Sequence, residues 1–266
     1  MKKPLVKVDV VEASSKDSKK SSRRKFIKLG GLGIAGSSFL LYSCSEDDLF
    51  DPGAPVAGPD PEPEPEPETF DLGGGDLGIL NYAYALEQLE AAFYTQVRAG
   101  GYYAGAPQEE KDLFDDLYNH EVIHREFFRT AITAVAPNDI LPDLEFDVSS
   151  IDFDDRTSVL ETARLLEDTG VAAYNGAGDR LETAAYLTIA GKIVSVEARH
   201  ASAIRSLINP DSTDFAGDDV MVDIAGTGLG YDKATDPADI LAAVGDLGVI
   251  TTRFTANNLP EPKTGS

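Results

Sequence analysis

Two of the three histidines of this 266-residue chain stand three residues after a glutamate, in Glu121-Val-Ile-His124 and Glu197-Ala-Arg-His200. One such match would be weak, but two among three histidines is a pattern. On an α-helix, positions i and i+3 share a face, so a carboxylate oxygen and an imidazole nitrogen reach toward the same point. A chain that repeats this on two helices is constrained to bring those helices together, because neither half-set of ligands is complete alone.

Two further glutamates fall where the missing half-sets are needed. Leu86-Glu87-Gln88-Leu89-Glu90 precedes the first Glu-x-x-His, and Leu166-Glu167-Asp168 lies between the two. Glu87 and Glu167 are each followed seven residues later by tyrosine, Tyr94 and Tyr174. The chain therefore reads as a repeated half, Glu…Tyr and then Glu-x-x-His, with 34 residues between the glutamates in the first half and 30 in the second. This symmetry favours Glu87 over Glu90 as the ligand of the first helix; Glu90, on a flanking face, would bridge or shuttle.

All these residues lie on apolar stripes. The first helix carries Leu80, Ala83, Tyr84, Glu87, Ala91 and Tyr94; the second Leu113, Leu117, Glu121, His124, Phe128, Ala131 and Val135. The third carries Leu160, Ala163, Glu167, Val171 and Tyr174; the fourth Tyr186, Ala190, Ile193, Glu197, His200, Ile204 and Leu207. The 3-4 spacing predicts four amphipathic helices with acidic groups on their core faces. Four carboxylates in one core are destabilising unless protonated or bound to cations, so a metal centre is the economical explanation. An apolar bundle with accidental glutamates would bury four charges to no purpose.

Connection lengths predict the topology. Short stretches around Gly100 to Pro107 and Gly176 to Arg180 suit antiparallel neighbours, whereas Pro137 to about Thr157 is long enough to cross down the bundle between two hairpins. Pro137 stops the second helix, and Asp152 to Ser158 supplies caps for the third.

The stretch from about Leu77 to Ile208 resembles the ferritin-like domain family of bacterial exported proteins, related to desiccation-associated proteins. Ile79-Leu80-Asn81-Tyr82-Ala83, Leu86 through Tyr94 and Val196-Glu197-Ala198-Arg199-His200-Ala201 carry the resemblance. It implies an all-α, ferritin-like four-helix bundle with a long crossover, and two iron or manganese ions held by Glu87, Glu121, His124, Glu167, Glu197 and His200. Glu87 and Glu167 would be terminal ligands, Glu121 and Glu197 bridges, and each histidine would bind one ion. Ferritin-like bundles act on Fe(II), dioxygen or peroxide, so metal ions and small oxidants are the expected partners. Behind the ligands, Tyr94 and Tyr174 are expected to hydrogen-bond ligating carboxylates across the bundle, and His120, at i−4 from His124, to support a ligand from outside.

The expected division is a signal over 1–43, a linker over 44–76, the bundle over 77–209, and an extension over 210–266 that packs on the bundle. Ser21-Ser22-Arg23-Arg24-Lys25-Phe26 resembles a twin-arginine export signal, followed by a glycine-rich apolar segment too short to span a membrane comfortably. Leu41-Tyr42-Ser43-Cys44 resembles a lipobox, and the resemblance implies lipidation of Cys44, a membrane anchor and a place in the periplasm or on the cell surface; the alternative is cleavage by an ordinary signal peptidase. As the only cysteine, Cys44 excludes an intrachain disulfide and a cysteine-ligated centre. Alternating proline and glutamate over Pro61 to Glu68 predicts an extended, solvated spacer.

Charge excludes one class of partner. The first 43 residues hold 10 basic and 3 acidic side chains, leaving 13 basic and 43 acidic in the rest. Such a surface has no positive stripe with which to displace counterions from nucleic acid. In the tail, Asp211 to Tyr231 reads as an acidic, glycine-rich loop. Asp236-Pro237 reads as a helix start with Ile240, Leu241, Val244 and Leu247 on its apolar side, and Ile250 to Leu259 as a short strand-like or helical segment.

Overall fold

The computed structural model describes residues 69–224 and 226–263. The twin-arginine motif, Cys44 and the Pro-Glu stretch lie outside the described residues. The bundle is built from α1 (Gly75–Ala99), α3 (Gln108–Val135), α4 (Arg156–Gly178) and α5 (Ala184–Ile208), with a one-turn helix α2 (Gly101–Gly105) inside the first connection. α1 packs chiefly against α3 and α4 against α5, giving two hairpins that meet mainly along α1 and α4. This is the all-α ferritin-like bundle the sequence predicts. Among the described residues, no helix is long and apolar enough to cross a membrane.

Helix ends follow local chemistry. Pro137 follows the α3 C-cap at Ala136, and the Asp155 side chain caps α4 by accepting from the Ser158 amide at 2.8 Å. The second connection differs from expectation: α4 continues through Gly178, so the turn is 179–183 and not Gly176 to Arg180. Gly176 is instead a point of close approach. A Cβ there would lie 1.7 Å from the Thr235 carbonyl, whose residue also donates its amide to Ala172 O at 3.0 Å. Only glycine lets the C-terminal segment lie this close to α4.

The crossover from 136 to 155 runs along α1 and is held there by two buried polar side chains. Asn81 donates to Leu72 O and Asp139 O, at 3.1 and 2.8 Å, and accepts from the Leu141 amide at 2.9 Å. Gln88 accepts from the Leu144 amide at 2.8 Å and donates to Pro142 O at 3.3 Å. Both amides use donor and acceptor together, which satisfies backbone groups that an irregular buried segment would otherwise leave bare. The consequence is that α1 is buried nearly all round between Gly78 and Ala91, and not along one stripe alone. On α3 the expected stripe runs out one turn early: Ile132 is buried, whereas Val135 is 62% exposed.

The folded body begins inside the stretch expected to be linker. Phe70–Asp71 form strand β1, parallel to β4 (Phe254–Thr255), and Leu72 is fully buried. Asp71 accepts from Gly73 N, Thr255 Oγ1, Asn257 N and Asn258 Nδ2, and these hydrogen bonds hold its carboxyl down to about 2. Nor is Asp211 to Tyr231 simply loop. A 3-10 turn (Asp214–Ala216) leads into an antiparallel pair, β2 (Met221–Asp223) and β3 (Leu229–Asp232), both short and largely exposed, which is why no apolar alternation marks them. Helix α6 (Pro237–Leu247) starts at Asp236 as expected and buries Ile240 and Val244, but Leu247 is exposed.

Candidate metal centre

Each of the four long helices delivers one glutamate to the middle of the bundle, and α3 and α5 add their histidines one turn on. The side chains fall into two groups, Glu87, Glu121, His124 and Glu197, and Glu121, Glu167, Glu197 and His200. Within each group one ligand atom per residue lies within 4.8 Å of all the others. Ligands about 2.1 Å from a shared ion have their most distant, trans pairs about 4.2 Å apart, so each group is close to the size of one coordination sphere. Glu121 and Glu197 belong to both groups, one oxygen facing each side.

The distances repeat across the two halves. His124 Nδ1 lies 2.9 Å from Glu197 Oε1, 3.2 Å from Glu121 Oε2 and 3.5 Å from Glu87 Oε2. His200 Nδ1 lies 2.9 Å from Glu121 Oε1, 3.2 Å from Glu197 Oε2 and 3.3 Å from Glu167 Oε2. All four carboxylates have no exposed surface, and the two imidazoles are buried but for one edge.

Whether the set fits a cation is decided by the atoms left without partners. Glu87 Oε2, Glu121 Oε1, Glu167 Oε2, both oxygens of Glu197 and His200 Nδ1 are buried with no aligned hydrogen bond, although the N···O separations are short. Their lone pairs thus converge on common points and do not lie along donor–acceptor lines. Buried polar atoms without partners cost about 1–3 kcal/mol each, so several in one place call for a bound species. Hard carboxylate oxygens with imidazole nitrogens suit iron or manganese. Each of the two groups could hold a metal ion.

Protons occupy the same field. Burial drives Glu87 well above the carboxylate range, with the Glu121 and Glu197 charges adding to the rise against the pull of His124. Burial likewise lifts Glu167 to about 8 despite the opposing pull of His200. Burial disfavours charge on the histidines, yet the surrounding carboxylates overcome it and push His124 and His200 up to about 12. Glu121, opposed by burial but facing both imidazoles, is held down to about 2. Burial and mutual repulsion of the carboxylates favour a proton or a cation beside them.

The tyrosines cross between the hairpins. Tyr94 on α1 donates to Glu167 Oε1 on α4, and Tyr174 on α4 donates to Glu87 Oε1 on α1. Because each pairing joins a residue to its partner's counterpart seven positions on, α1 and α4 must run antiparallel. Each hydroxyl takes the outer oxygen of a terminal glutamate and leaves the inner one facing the group.

Two side chains break the symmetry. Glu90 joins neither group; it is buried, Oε2 has no hydrogen-bond partner, and burial drives it well above the carboxylate range. Its counterpart in the second half is Gly170, where an added Cβ would stand 3.0 Å from Glu90 Oε1. His120 also lies outside both groups. It is exposed, its ring lies within 9° of parallel to that of His200 with centroids 5.1 Å apart, and it places Nδ1 2.9 Å from His200 Nε2. Sequence reasoning passed over Gly170, although its place three residues after Glu167, where the first half has Glu90, was a readable signal.

The ferritin-like domain family is matched over residues 75–210, from the first residue of α1 to just past the end of α5. No curated protein matches the chain.

Proposed function

Because the chain belongs to the ferritin-like domain family, we propose that its bundle holds two iron or manganese ions and acts as an oxidoreductase on Fe(II), dioxygen or peroxide. The observation that carries this reading is the convergence of unpartnered buried oxygens in two groups that share Glu121 and Glu197. Glu87 and His124 would hold one ion, Glu167 and His200 the other, with Glu121 and Glu197 joined to both. Bound there, the ions supply the redox chemistry that carboxylate and imidazole ligands leave accessible to small oxidants.

The chain's own residues do the rest. Tyr94 and Tyr174 fix the outer oxygens of Glu167 and Glu87, so each terminal carboxylate presents one oxygen inward. The protons held on His124 and His200 leave as cations enter, which makes loading pH-dependent. Full burial of the four carboxylates keeps out bulk water and large substrates, and suits reactants of a few atoms. The same burial supports a second reading, a protective or structural protein whose ions stabilise the bundle without turnover.

The remainder of the reading concerns residues 1–68. Arg23-Arg24 and Cys44 support export by a twin-arginine route and lipid anchoring, with the acidic Pro-Glu stretch as spacer, for protection of the cell envelope against oxidants. Incorporation of labelled fatty acid that Cys44→Ala abolishes is the expected result; equal labelling of both would remove the anchor from the proposal.

Elemental analysis of the whole chain, purified without a histidine tag, tests the centre. About two iron or manganese ions per chain are expected. A folded chain that holds no metal and takes none on reconstitution would end the metal reading. Two ions with no consumption of Fe(II) or peroxide would leave the second reading standing.

A further inference from the structure

The two halves of the centre carry the same ligands, yet only one has a histidine behind it. Resting on the metal reading above, we propose that His120 is a positioning residue that makes the His200 position the tighter of the two and the first to fill.

His120 acts through the ring proton of His200. Its Nδ1 faces Glu121, Glu167 and Glu197, all within 3.3 Å. To bind a cation, Nδ1 must offer a lone pair, and the ring proton then resides on Nε2. Nε2–H then donates to His120 Nδ1, 2.9 Å away. The two rings are parallel to within 9°, with centroids 5.1 Å apart, so the hydrogen bond runs close to both ring planes. The hydrogen bond fixes the tautomer and orientation in which His200 can bind, and it raises the basicity of Nδ1.

His124 has no such support. Its Nδ1 faces Glu87, Glu121 and Glu197 in the mirror arrangement, but among the described residues no side chain is hydrogen-bonded to its Nε2. The repeat explains why: the residue before Glu121 is His120, whereas the residue before Glu197 is Val196, which has no acceptor. His120 is itself exposed, so it can be replaced without opening the core.

Titration of the metal-free whole chain with Co(II), followed by calorimetry and visible absorption, tests the assignment. Two binding steps at least tenfold apart are expected, the tighter lost in His200→Ala and the weaker in His124→Ala. His120→Ala is expected to weaken the tighter step alone, by about 10- to 100-fold, so that the steps merge. His120→Asn, whose side-chain oxygen can accept from Nε2, is expected to recover part of the separation. Two steps of equal affinity in the unaltered chain, or a His120→Ala isotherm that is unchanged or weakened equally in both steps, overturns the proposal and leaves the metal reading intact. Absence of any Co(II) binding by the folded, unaltered chain overturns both.

Discussion

The α1–α3 hairpin and the α4–α5 hairpin present the same inner ligands in the same order, and differ in nearly everything around them. The first half carries Glu90 where the second has Gly170, and His120 where the second has Val196. Its α1 is wrapped by the crossover, while the outer face of α5 is largely exposed. The Glu87 and Glu167 carboxyls, in contrast, move alike, both raised above the carboxylate range mainly by burial. The contrast teaches that the side chains converging on the two groups repeat between the halves, whereas neighbours one turn away are free to differ.

The strongest way to break the comparison is to remove what the halves share. Glu121→Ala combined with Glu197→Ala takes a ligand pair from both groups, and elemental analysis is expected to fall from about two ions per chain to none. Retention of one ion would mean that a half-site can stand alone.

Acidity tests the shared field next. Glu167, raised from an ordinary 4.5 to about 8, favours the metal-free fold fully below pH 4.5 and loses that contribution as pH rises to about 8; Glu87 and Glu90 act in the same direction. His124 and His200, raised from 6.5 to about 12, lose theirs above pH 6.5. Glu121, lowered to about 2, works the other way and loses its contribution as pH falls from 4.5 through about 2. The metal-free protein is therefore expected to melt at higher temperature at pH 5 than at pH 8. Bound metal needs deprotonated ligands and should reverse that order. Calorimetric scans of both forms at the two pH values check it; a metal-free Tm that rises toward pH 8 would contradict the buried-proton account.

The crossed tyrosines sharpen the comparison further. Tyr94→Phe and Tyr174→Phe each remove one buried hydrogen bond to a carboxyl group, at a cost of about 1–3 kcal/mol by denaturant unfolding. Equal losses would mark the cross-links as symmetric; a larger loss for Tyr174→Phe would show that the crowded α1 side leans on its partner more. The smallest effect is expected at Gly170→Ala. Alanine gains about 1 kcal/mol in helix propensity, while its Cβ would sit 3.0 Å from Glu90 Oε1. Stability within about 1 kcal/mol of the parent is expected, because the end of a long side chain can yield. A much greater loss would mean that Glu90 is locked in place.

Much of the centre was legible because its chemistry is periodic. Glu87, Glu121, His124, Glu167, Glu197 and His200 fall on apolar stripes at helical spacing, and the structure brings all six together. Tyr94 and Tyr174 were legible through their equal offset, though the crossing itself, each tyrosine to the other half's glutamate, depends on how α1 meets α4. Asn81 and Gln88 were not read as polar anchors, since local pattern cannot show that a crossover will lie against them. Strand β1 was hidden in a polar stretch because its reason for existing, pairing with Phe254–Thr255, is more than 180 residues away.

By itself the sequence determined four helices, their order, the long crossover and the glutamates and histidines that converge, since amphipathic period and Glu-x-x-His spacing act within a few residues. Tertiary structure alone decided which oxygens are left without partners, which helix is wrapped and which exposed, and that His120 reaches His200, 80 positions on, and not its near neighbour His124. Those outcomes depend on distances between helices, and no local pattern encodes such distances.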